Sequence, residues 1–108
     1  MNLTDARSLI IKESLEGIAY TSRMGDYSTP ENFNNLLEAI NTIAASIGGE
    51  KMVDQELFCA LFVIGNQIEG NACGAISKEI DVPEWLLDHG IVELNEALYA
   101  IFEDHEID

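Results

Sequence analysis

The chain has 108 residues, 47% of them hydrophobic and 23% charged, with twenty acids against five Lys and Arg and a formal net charge of −15. That length fits one domain able to bury roughly two-thirds of its unfolded surface without a metal or disulfide staple, and the apolar content excludes a disordered chain. The acid excess is C-terminal: eight acids and four cations precede Gln55, twelve acids and only Lys78 follow, and no Lys or Arg occurs from Glu79 onward.

The opening MNLTDARSLIIKESLEG sets Asp5, Arg7, Lys12 and Glu13 around a short apolar stretch. A secretory signal needs a longer uninterrupted apolar core and a small-residue cleavage site. The expectation is a soluble, cytoplasmic protein with no membrane partner. Hydrophobic periodicity predicts a first helix from about Asp5 to Arg23, capped by Thr4, with Ile11, Leu15, Ile18 and Ala19 inward. MGDYST then reads as a loop, with Gly25 suited to a left-handed position.

The second helix has the clearest start. Thr29 is placed to cap it, Pro30 sits where a missing N–H costs nothing, and Glu31 meets the positive end of the dipole. Phe33, Leu36, Leu37, Ile40, Ile43, Ala44 and Ile47 follow at spacings of three and four, and Gly48-Gly49 ends the segment. A third helix is predicted from the cap Asp54 to about Glu69, with Gly70 as its end. Its run LFCALFVIG is apolar on every side, which suggests a central helix covered all round. A buried strand is the competing reading of that run, disfavoured because no second strand-like segment exists to pair with it. The run is about half the length a bilayer crossing requires.

Cys59 and Cys73 read as reduced structural thiols, Cys59 acting as a small hydrophobe within the apolar run. A zinc site would need more ligands at closer spacing. A short helix from about Ala72 to Glu79 and a final one from Pro83 complete the set. Leu87, Ile91, Leu94, Leu98 and Ile101 form a stripe that passes straight through Gly90. That favours one continuous helix over a break at His89-Gly90, since Gly within a helix costs only about 1 kcal/mol. The predicted fold is therefore all-α, a single-domain bundle of four to five helices around a central apolar helix. The acids Glu103, Asp104, Glu106 and Asp108 oppose the helix dipole, so the last five or six residues are expected to fray.

The stretch ISKEIDVPEWLLDHG, residues 76–90, resembles a helix-turn-helix through Ile76, Ile80, Val82 and Leu87. It departs from that family at Asp81, where the turn usually holds Gly, and at Gly90. The resemblance would imply DNA binding, with Pro83, Glu84, Trp85, Asp88 and His89 facing the groove. Nucleic-acid affinity comes largely from cations that replace condensed counterions, and base readout leans on Arg, Lys, Asn and Gln. None of these lies between Ile80 and Val92, so direct nucleic-acid binding is not expected.

No catalytic constellation, phosphate loop, calcium loop or cofactor motif emerges. His89 and His105 read as solvated, and "GNACG" and "SIGGE" lack a phosphate-binding Lys. The expectation is a non-enzymatic binding protein without cofactor or metal, whose last helix engages a basic protein surface. Its candidate contact residues are Glu84, Trp85, Asp88, Val92, Glu93, Glu96, Tyr99 and Glu103. Carboxylates would meet guanidinium forks, and a Trp85-Val92-Tyr99 line at seven-residue spacing would take Arg and Lys stems. The competing reading makes Trp85, Val92 and Tyr99 a second core stripe, with the acids a solvated outer face. An immunity protein or a nucleic-acid-mimicking inhibitor would be such a binder. The alternative is a homo-oligomeric module, such as a homodimer, using the same line for self-association.

Overall fold

A computed structural model describes residues 1–46 and 54–103. Among these there are only helices and their connections. The elements are α1 (Leu3–Leu15), α2 (Ile18–Thr21) with a 3₁₀ turn (Ser22–Met24), α3 (Pro30–Ser46), α4 (Gln55–Ser77), and a π-helical turn (Leu86–Gly90) that continues into α5 (Ile91–Glu103). The expected all-α bundle is present. Ile47, Gly48-Gly49 and the tail Asp104–Asp108, including His105, lie outside the described residues.

The four long helices form a ring in which α1 and α5 each pack on both α3 and α4. Ile10, Leu36, Ile40, Leu61, Ile64, Ile68, Leu94 and Ile101 fill the middle, all at least 99% buried. The helix read as central is thus one corner of the ring. Its inner side carries Leu57, Ala60, Leu61, Ile64, Ile68 and Ala72, while Phe58, Cys59, Phe62 and Val63 are exposed. Cys59 is therefore a surface thiol rather than a core residue, and Cys73 is exposed as well.

The predicted first helix is two pieces. Asn2, not Thr4, caps α1, accepting from the Asp5 N–H at 2.8 Å. The chain turns at Glu16-Gly17, where both N–H groups donate to the Lys12 carbonyl and the Glu13 carboxylate accepts from the Ile18 N–H at 3.0 Å. That turn resets the helical phase, so Ala6 and Ile10 are buried ahead of it while Leu15 points to solvent. Gly25 takes the expected left-handed conformation at φ 81°.

Local chemistry fixes two other starts as the sequence suggests. The Thr29 hydroxyl accepts from the Asn32 N–H at 3.1 Å, and Asp54 Oδ1 accepts from the Leu57 N–H at 2.9 Å. Asp54 also takes Arg7 of α1 through two hydrogen bonds of 3.0 and 3.1 Å, tying the N-terminal helix to the start of α4. The two bonds from Arg7 and the one from Leu57 hold the Asp54 carboxyl down at about 2.

Gly70 does not end α4, and the expected short helix at 72–79 is its last two turns. One glycine costs about 1 kcal/mol, less than burying the flanking Ile68 and Ala72 contributes. The helix ends instead at a pair of reversed bonds, Glu79 N–H to the Ile76 carbonyl and Ile80 N–H to the Ala75 carbonyl. Glu79 occupies the left-handed position, φ 60°, usually given to Gly.

Candidate functional site

The last helix carries the predicted contact residues and does run unbroken through Gly90, but with a change of phase. The Leu86–Gly90 turn holds one residue more than an α-helical turn, equivalent to about 100° of rotation. Leu86 is therefore buried where Leu87 was expected, and Leu87 is exposed. A Cβ on Gly90 would lie 3.2 Å from the Trp85 carbonyl oxygen and 3.4 Å from the Phe33 ring, so this backbone passes close against α3.

The same rotation breaks the Trp85-Val92-Tyr99 line. Trp85 turns toward α3 and meets Phe33 with ring centroids 5.3 Å apart, half-buried at the edge of the core. Val92 and Tyr99 stay outside, 54% and 65% exposed, two turns apart on one side of α5. They are not the second core stripe that was the competing reading. Glu84 and Asp88 are exposed, one before and one within the π-helical turn. The Glu103 side chain lies outside the described residues.

Glu93 and Glu96 are brought together. They stand one turn apart on the α3 side of α5, on the wall of an open cleft of about 260 Å³ that Leu37, Asn41, Ala97 and Ala100 complete. Among the described residues no Lys, Arg or His lies within 4 Å of either carboxylate. Two such carboxylates beside an amide and a small apolar floor can take a guanidinium or ammonium group.

The sequence reading missed the contribution of α4. Its N-terminal half runs antiparallel to α5, shown by three contacts in succession. Phe58 meets Phe102 edge-on at 5.4 Å between centroids, a Cβ on Gly65 would come within 2.9 Å of Leu98 Cδ1, and Asn95 donates to Glu69 at 3.3 Å. Phe58 and Phe62 of α4 are 44% and 57% exposed. A signal for it was available: Gln55, Cys59, Asn66 and Cys73 share that helical side, and a helix buried all round would not carry so polar a stripe.

Comparison with family models, with curated proteins and with solved structures finds no match to this chain. No helix among the described residues is long and apolar enough to cross a membrane.

Proposed function

We propose that this is a non-enzymatic binding protein whose α5 face engages a basic protein surface, in the manner of an immunity protein or a nucleic-acid-mimicking inhibitor. The observation that carries the reading is one helix offering Glu93 and Glu96 without a cationic partner among the described residues and, a quarter-turn away, exposed Val92 and Tyr99. Anions of one sign steer a cationic partner during encounter, and a large exposed aromatic ring holds it once docked. Direct nucleic-acid binding is disfavoured, because a phosphate backbone would meet carboxylates.

The test compares immobilised wild-type protein with the E93K/E96K/E103K variant over a cell extract at low ionic strength. A basic protein retained by the first and lost from the second, with an association rate that falls as salt is added, supports the reading. Equal retention on both, or retention of no basic protein, overturns it. Circular dichroism confirms that the variant is folded.

A second reading, self-association, is favoured by the exposure of Val92 and Tyr99. It would place the acids outward, since two faces of like charge repel. Sedimentation at high protein concentration separates the two.

A further inference from the structure

We propose that the cleft between residues 22–27 and the C-terminal half of α4 binds a small organic phosphate. This site is separate from the acidic face, since no residue of α5 lines it. The cleft encloses about 330 Å³, the low end of the range for small-molecule sites. Its charge runs against the rest of the chain. Arg23 and Lys78, two of the five Lys and Arg, line it, and among the described residues no Asp or Glu does. Neither cation has a carboxylate within 4 Å among the described residues. The GNACG segment, which has no phosphate-binding Lys of its own, is helical. The fold sets Lys78 one turn beyond Gly74 and brings Arg23 from the other wall, so both border the same space.

Two further observations point to an occupant. Tyr27, only 2% exposed, lines the cleft, and its buried hydroxyl finds no hydrogen-bond partner among the described residues. Buried hydroxyls are nearly always paired, because an unpaired one forfeits its hydration without return. Burial also raises the phenol's pKa, which keeps it a donor at neutral pH. Gly70 and Gly74, one turn apart, line the cleft as well, and a Cβ on either would meet nothing within 4 Å. Neither has a positive φ. Packing thus does not require glycine there, and Ala would make the better helix. What the bare backbone preserves is room.

The donors select the ligand. Two cations and a phenol suit a phosphate monoester, with a charge of about −1.5 to −2 and three acceptor oxygens, better than a singly charged carboxylate. The Arg23 guanidinium lies 6.0 Å from the centre of the Tyr20 ring, an exposed contact it can exchange for a phosphate. Asn71 donates to Ser22 Oγ at 2.8 Å and so fastens α4 to the opposite wall. Free carbonyls at the end of α4 would repel an anion, but these are engaged: Gly74 accepts from the Lys78 N–H, and Ala75 from those of Lys78 and Ile80. Met24 and Ile80, both exposed, supply apolar surface for the organic part.

The probe is phenyl phosphate, titrated calorimetrically into the full chain at about 0.15 M salt, where acids farther off than about 8 Å are largely screened. Benzoate, which keeps the ring and carries a single charge, is the comparison. The expected result is one-site binding of phenyl phosphate at least about tenfold tighter than that of benzoate. R23Q/K78Q and Y27F are each expected to weaken it about tenfold. Y27F removes only the unpaired hydroxyl, so the fold is expected to persist. In G70A/G74A two methyl groups enter the cleft, so binding falls by a similar factor while thermal stability rises. No binding of phenyl phosphate by the wild type, or benzoate binding as tightly, overturns the proposal. So does binding that R23Q/K78Q abolishes but Y27F and G70A/G74A leave unchanged, since two exposed cations would then account for it alone. The acidic face of α5 stands or falls separately, by its retention of a basic protein.

Discussion

A single carboxylate, Asp54, does two jobs at the start of α4: it caps the helix through the Leu57 N–H and holds Arg7 of α1. Both interactions need the charged form or are strengthened by it, which is why its carboxyl falls from 3.8 to about 2. The folded protein binds that proton less tightly than the unfolded chain. The stabilisation is therefore complete above about pH 4 and is lost as pH falls toward 2. Asn at this position keeps an oxygen for Leu57 and gives up the ion pair. In urea titrations across that window, D54N is expected to lose less stability than wild type, while D54A loses about 1 kcal/mol at neutral pH through the missing cap. Parallel wild-type and D54N curves between pH 4 and 2 would show that the Arg7 contact adds nothing to folding.

At the scale of elements, what could be read from the sequence was whatever neighbouring residues decide among themselves. Thr29 with Pro30, and Asp54 with Leu57, are local chemistry, and the helices they open start where expected. The turn at Gly17 and the end of α4 at Glu79 depend on competing contacts that periodicity does not register. The clearest case is the extra residue in Leu86–Gly90. An α-helix returns to the same face after seven residues, yet the buried Leu86 and Leu94 are eight apart. What accommodates the eighth is the fit of Trp85 and the Gly90 backbone against Phe33, a contact 50 or more residues away in sequence. So Glu93 and Glu96 lie on an outer face as their positions suggest. The Trp85-Val92-Tyr99 line divides between the two readings the sequence allows, with Trp85 half-buried and Val92 and Tyr99 exposed, and Phe58 and Phe62, which read as core, are exposed. Deletion tests this phase directly. Removing Asp88, which is exposed, restores seven-residue spacing and should leave a cooperatively folding protein with unchanged Trp85 fluorescence. Removing the equally exposed Glu96 rotates the end of α5 by about 100°. That draws Leu98 and Ile101 out of the core at about 1.5–3 kcal/mol each. Equal damage from both deletions, measured by thermal unfolding, would refute the extra residue.

Across the whole molecule, a net charge of −15 on 108 residues opposes compaction, because like charges are closer together in the folded state. Salt shortens the range of that repulsion, from about 30 Å at 0.01 M to about 3 Å at 1 M. Tm should therefore rise with added sodium chloride, whereas association with a basic partner should slow. The same carboxylates drive both trends, so the two measurements must move in opposite directions. Glu93 and Glu96, one turn apart, allow a sharper version. Their mutual repulsion is on the order of 0.2–0.5 kcal/mol; E93K/E96K keeps a like-charge pair of that size at this place but lowers the overall negative charge, and so relieves the repulsion from the other acids. The variant is expected to be at least as stable as wild type in low salt and slower to bind. Acids that weaken the fold and accelerate binding are placed for an encounter. If E93K/E96K instead lowers Tm at low salt, those two carboxylates serve the bundle itself, and the case for a cationic partner at α5 loses its electrostatic half.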